Sequence, residues 1–301
     1  MRFARSRRRQ PGHLFFVLCL LFALIPAAFA ANDRGLFYRA ERGAAVIYLL
    51  GSIHLGDDAM YPLRSSIEST FAQTDALVVE LDITAIDPLR MTRWMAANGQ
   101  YPPGESLRDH LQPQTWQRLS AYLQKQSLPI EAMQRYKAGI LVNMLTMMQL
   151  TQTGLSSALG LDQHFLLAAH ADKKSIIELE TAEDQLALLA SMPNSDALIN
   201  QTLDEIEDIG SARDELFDAW RTGDSAQLEK EINKELRGDN AASREFFARI
   251  FTRRNQAMTT RIAAESNTHR HLFVVVGAGH LLGSDGVVAL LRRQGFKIEQ
   301  L

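Results

Sequence analysis

Two segments near opposite ends of the chain repeat one pattern: Val46-Ile-Tyr-Leu-Leu-Gly-Ser-Ile-His54-Leu-Gly56 and Phe273-Val-Val-Val-Gly-Ala-Gly-His280-Leu-Leu-Gly283. Each is an apolar, largely β-branched run that stops at a glycine and delivers a histidine three residues later. Such runs read as buried strands. A chain that sets imidazoles at two matching strand ends is expected to bring them into one sheet and one polar site.

The surroundings extend the match. After the first motif come a helix over about 62–73 and an apolar strand, Ala76 to Leu81; after the second come a helix over 286–294 and a strand over 296–299. Leu36–Arg39 and Ala45–Leu50 flank the turn-like Glu41-Arg-Gly43 and predict a hairpin. The near-continuous apolar character of the later strands suits parallel strands covered on both faces. The predicted fold class is α/β, with a mixed central sheet built from two βαβ-type halves and a large helical insertion. The sheet core is assigned to 35–100 and 268–301. The insertion spans about 105–267, with helices near 113–126, 130–153, 160–171, 181–191, 197–208, 212–222, 225–236 and 243–266. It is broken once by an apolar strand near 174–180.

Residues 1–30 read as a signal peptide: five arginines, an apolar run from Leu14 to Ile25, and Ala28-Phe-Ala30 as a cleavage site. Secretion, to a periplasmic location, is expected, with the mature chain at 31–301. The apolar run is shorter than the roughly 20 residues of a spanning helix, and no later segment approaches that length. Cys19 is the one cysteine of the 301 residues and leaves with the leader, so disulfides and thiol chemistry are not expected. Removing the leader takes the formal charge from −3 to −8, which with the lack of a basic patch argues against a nucleic-acid partner.

Ligands gather beyond the carboxyl ends of strands in open α/β sheets. His54, Glu80, Glu178 or Glu180, and His280 fall at or just past such ends. Glu80 lies within Val78-Val-Glu-Leu-Asp82, where a buried carboxylate needs a cation or donor. Two imidazoles and a carboxylate are the usual minimum for an open divalent-metal site; alone, each histidine reads as a hydrogen-bonded strand-end residue. Arg254 interrupts the apolar stripe Phe247, Phe251, Met258, Ile262 and is either an internal ion-pair partner or a site residue, with Asn255 beside it. Asp162 interrupts another apolar seam and reads as a first-turn carboxylate or a site group. Thr181 reads as a helix cap with Glu183 as its structural partner. Ser52 lies inside the first motif. His110, His164, His170, His269 and His271 lack a matching context and read as surface or local hydrogen-bonding residues. No Gly-x-Ser-x-Gly elbow, phosphate loop, His-Glu-x-x-His or dinucleotide fingerprint is present.

On Tyr48-Leu-Leu-Gly-Ser-Ile-His54, Leu77-Val-Val-Glu-Leu81, Gly160-Leu-Asp162, Glu178-Leu-Glu-Thr181 with Gln185-Leu186, Arg254-Asn255 and Val275-Val-Gly-Ala-Gly-His280, the chain resembles the TraB/GumN family, which includes the Tiki metalloproteases. More remotely it is similar to erythromycin esterase and ChaN-like proteins. The resemblance implies a secreted hydrolase acting on peptides, dependent on a divalent metal (Mn, Co or Zn). His54, Glu80 and His280 would be its metal or catalytic set, with Arg254 supporting them; Asn255, Glu180, Asp162 and Ser52 stand, from their positions in the chain, as substrate-binding candidates. Two alternatives stay open: a metal-independent, esterase-like hydrolase acting on a peptide or small molecule, and a protein that binds a peptide, haem or metal without turnover.

Overall fold

The computed structural model describes residues 35–207, 209–236 and 241–301, all within the unit Ala31–Leu301. The expected leader at 1–30 lies outside the described residues. Six strands form one sheet: β1 (Leu36–Arg42), β2 (Ala45–Ser52), β3 (Ala76–Val79), β4 (Ser175–Glu178), β5 (His271–Gly277) and β6 (Lys297–Gln300). Their order is β4-β3-β5-β2-β1-β6. β4, β3, β5 and β2 are mutually parallel, and β1 runs antiparallel to both β2 and β6, so the sheet is mixed.

Both strand–helix–strand repeats are present, but they are interleaved rather than side by side. The first runs from β2 through the helix Ser65–Gln73 to β3, and β5 lies between its two strands. The second runs from β5 through the helix Val287–Arg293 to β6, and steps over β2 and β1. Hydrophobicity explains the choice: six consecutive residues of β5, Leu272 to Gly277, are buried, and a strand this apolar is stable only in mid-sheet with both faces covered. The polar β6, of which only Ile298 is partly covered, takes an edge. Phe71, Phe165 and Phe273 pack at centroid separations of 4.9–5.4 Å and weld the helices Ser65–Gln73 and Leu161–Asp172 onto one sheet face.

The helical stretch returns to the sheet once, at β4, as expected. Its details differ from the sequence reading in four places. The helix expected over 130–153 is two, Ile130–Met133 and Ala138–Gln152, because the intervening backbone bonds elsewhere: the N–H of Lys137 bonds to the carbonyl of Gly99 at 3.0 Å. The helix expected over 243–266 contains a π-helical segment, Ala248–Thr252, between Ala241–Phe247 and Arg253–Glu265. A helix at Pro88–Trp94, opened by the Asp87 cap and Pro88, lies within the stretch read as sheet core. Finally, Thr181 caps the helix Ala182–Ala190 in a box closed by Asp184, not Glu183; Glu183 pairs instead with Arg90.

Candidate active site at the carboxyl ends of the strands

Because β2, β3, β4 and β5 are parallel, their carboxyl ends share one edge of the sheet. The register Ser52↔Gly277 places the two Gly-x-x-His loops side by side. The next residue after β3 is Glu80, and Glu180 follows β4 by two. The pairing predicted from the duplicated motif is therefore formed.

Glu80 is buried, and both its oxygens are engaged. Oε1 accepts from the backbone N–H of Gly277 at 2.7 Å and stands 3.6 Å from Nε2 of His280. Oε2 accepts from Nη2 of Arg254 at 2.8 Å and from Nε2 of Gln185 at 3.0 Å. Arg254 also grips Glu180 through Nε (2.8 Å) and Nη2 (2.7 Å), and Nη1 donates to the carbonyl of Ile250 at 3.1 Å. The two readings of Arg254 thus merge: it is an internal ion-pair partner whose acid is the site carboxylate. Gln185, not singled out as a site residue from the sequence, bridges Glu80 and Glu180; the one available signal is an amide midway along the mostly apolar helix Ala182–Ala190.

Each histidine is oriented from behind. Nδ1 of His54 lies 2.9 Å from Oδ2 of Asp162, which also accepts from the Ser52 hydroxyl. Gly160 makes this possible: a Cβ there would sit 2.2 Å from the carbonyl oxygen of His54, so only glycine lets the helix Leu161–Asp172 start against that loop. Asp162 is both a first-turn carboxylate and a partner of His54. Nδ1 of His280 lies 2.6 Å from Oδ1 of Asn255, whose Nδ2 donates to the carbonyl of Asp285 at 2.9 Å. That second bond assigns the amide, so His280 carries its proton on Nδ1. Ser52 and Asn255, expected as substrate-binding groups, are buried and hold the histidine framework. His164 and His170 pair with Glu68 and Asp82, as local hydrogen-bonding residues.

Charge follows from this wiring. The Asp162 carboxylate raises His54 to about 9, overcoming the opposing effect of burial. Burial lowers His280 to about 4. Burial pushes the Glu80 carboxyl up, but the imidazoles, Arg254 and the Gly277 N–H outweigh it and hold it near 2. His280 is uncharged at neutral pH, so Arg254, His54 and Gly277 are the partners that keep Glu80 ionised there.

With both Nδ1 positions anchored, the Nε2 edges of the two imidazoles and Oε1 of Glu80 turn toward one place. A Cβ on Gly277 would lie 3.1 Å from Nε2 of His54, 3.2 Å from Oε1 of Glu80 and 3.5 Å from Cδ2 of His280. At neutral pH the proton retained by His54 serves this place in the metal-free protein, and a cation would have to displace it. Imidazoles that donate their other nitrogen to a carboxylate or carbonyl are usual among metal ligands. In donor type the three residues suit a divalent ion, but among the described residues no three His, Cys, Asp or Glu side chains stand in an arrangement that could hold one.

The site closes one end of a cavity of about 470 Å³ walled mainly by leucine, isoleucine and aromatic side chains. Fold and site together define an α/β protein with a strand-end cleft carrying a His–Glu–His cluster braced by an arginine. The sequence pattern of the TraB/PrgY/gumN family matches residues 36–300, and the chain belongs to that family. It is 26% identical over 246 residues to the protein YbaP of Escherichia coli (strain K12), covering 81% of this chain and 87% of YbaP. It is 25% identical to metalloprotease TIKI1 of Danio rerio and 27% identical to metalloprotease TIKI2 of Xenopus tropicalis, covering 84% and 89% of this chain but 60% of each relative. No solved structure matches.

Proposed function

We propose that this protein is a secreted, metal-dependent hydrolase of peptide bonds. The observation that carries the reading is the convergence of His54, Glu80 and His280 over Gly277, each held from behind by an independent partner. It is supported by the Tiki relatives, which are named as metalloproteases. His54 and His280 would hold the ion through their Nε2 atoms and Glu80 through Oε1. A divalent ion there supplies Lewis-acid activation of water and of the scissile carbonyl. The chain's own residues set the rest. Asp162 and Asn255 keep the histidine lone pairs turned inward, Arg254 and Gln185 fix the Glu80 carboxylate, and the glycine backbone at 277 leaves room for a reacting atom. Arg254, saturated by two carboxylates and a carbonyl, serves as a positioning residue for Glu80 rather than as an oxyanion donor.

The test is metal analysis of the purified protein beside mass-spectrometric cleavage of a peptide library. Wild type is compared with His54→Ala, Glu80→Gln and His280→Ala. Bound divalent metal, cleavage lost to chelator and restored by manganese, and loss of both in the variants are expected. Variants that cut as well as wild type overturn the assignment.

One observation favours a second reading without metal. The two imidazoles are driven apart in proton affinity, about 9 for His54 and about 4 for His280. Such a split suits one proton donor and one acceptor. Cleavage indifferent to chelator would select it.

A further inference from the structure

The cavity beside the cluster is far larger than a reacting amide needs, and away from the cluster its wall is apolar: Leu155, Leu188, Leu216, Phe217, Trp220 and Phe251. Polar groups on that wall are already satisfied. Trp220 donates Nε1–H to the carbonyl of Gly51 at 2.7 Å. Among the described lining residues outside the cluster, Arg213 alone is charged, and it spends its guanidinium on Asp214 (2.8 Å) and the carbonyl of Thr153 (2.8 Å). A charged or strongly polar group entering this space would lose hydration with no partner to replace it. An apolar group would be driven in. The neighbouring cavity, about 560 Å³, is more polar: Glu180, Asp184, Arg249 and Arg253 line it beside Leu179 and Ala257, and it shares Gln185, Leu188 and Arg254 with the first. The Gln185–Arg254 ridge, which carries Glu80, is the boundary between an apolar chamber and a polar trough.

We infer that the apolar chamber is the specificity pocket, seating a large apolar side chain of a peptide next to the bond cleaved, while the remainder of the substrate lies across the ridge in the polar trough. This inference rests on the hydrolase reading and names its substrate class. Three properties select the occupant: the chamber is continuous with the cluster, it offers no unspent charge outside it, and its volume falls in the range of pockets that enclose a small ligand.

The experiment uses the full mature protein. Cleavage of a peptide series varying one position (Phe, Leu, Ala, Gly, Asp) is measured alongside calorimetric binding of N-acetyl-phenylalanine amide and N-acetyl-aspartate amide. Both are repeated with Leu216→Glu, which places a charge in the chamber wall, and with Leu216→Met as the conservative variant whose thermal melt controls for folding. Expected are a preference of about tenfold or more in kcat/KM for Phe or Leu over Gly, in line with what apolar pockets achieve, binding of the phenylalanine amide alone, and loss of both in Leu216→Glu but not Leu216→Met. Peptides cut without apolar preference overturn the pocket and leave the hydrolase standing. Phenylalanine amide binding that Leu216→Glu abolishes, with no peptide cut by wild type, keeps the pocket and overturns the hydrolase. Neither binding nor cleavage overturns both.

Discussion

His54, Glu80 and His280 are each held in place by neighbouring side chains, and this is where single substitutions are most informative. Asn255→Ala removes the acceptor that keeps the His280 proton on Nδ1. Loss of such supporting partners typically weakens metal binding or activity by about 10–100-fold, and titration of the purified variant with manganese, read by calorimetry, checks it. Gly277→Ala probes the convergence itself. Its backbone angle of −49° suits any residue, yet the added methyl would crowd His54 and Glu80 at 3.1 and 3.2 Å. A melting temperature close to that of wild type with activity abolished is expected. Arg254→Ala takes the guanidinium from the buried Glu80 and the largely covered Glu180, side chains only 8% and 12% exposed. Removing one partner of a buried pair costs about 3–5 kcal/mol, so urea denaturation of Arg254→Ala should show a loss of that size.

The pH behaviour of the metal-free protein belongs to the same scale. His54 is raised from its ordinary 6.5 to about 9, so its contribution to stability is complete below 6.5 and fades as pH rises through 9. His280 is lowered to about 4, so its contribution is complete above 6.5 and fades as pH falls toward 4. Glu80, held near 2, adds acid sensitivity only below its ordinary 4.5. The melting temperature of metal-free protein should therefore be highest near pH 6.5 and fall on both sides, and Asp162→Asn should flatten the alkaline limb.

Among the elements, the π-helical segment Ala248–Thr252 has the most specific role. Such segments are frequent at functional sites because one extra residue turns everything after it around the helix axis. Here it is followed at once by Arg253–Glu265, which presents Arg254 to Glu80 and Asn255 to His280. Deleting Ile250 would restore α-helical register and swing both residues by about 100°. Circular dichroism should stay helical while activity disappears. This segment also marks where sequence reading stops. The stripe through Phe251, Met258 and Ile262 is visible in the chain, because apolar spacing reports which face is buried. The extra residue is not, because the steps of four and seven that join Phe247, Phe251 and Met258 read equally well as an unbroken α-helix. Asp184, by contrast, is legible: the box spacing places the capping partner three residues after Thr181, at Asp184 and not at Glu183. The duplicated Gly-x-x-His motif likewise discloses His54, His280 and their shared edge from the chain alone, since a glycine-terminated apolar strand has few places to end.

At the level of the whole molecule, the sheet order is the least legible property. Local patterns identify strands and their buried faces, but which strand lies between two others depends on total burial, and β5 takes the centre by being the most apolar. The two repeats consequently interlock, with β5 bonded to β2 along seven residue pairs and to β3 along four.

The interlock bears on how the protein is made. With the central strand supplied by residues 271–277, the two sides of the sheet cannot join until most of the polypeptide is available, and contacts so distant in sequence close slowly. A chain cut short before that strand would lack the middle of the sheet and the Gly277–His280 half of the strand-end cleft.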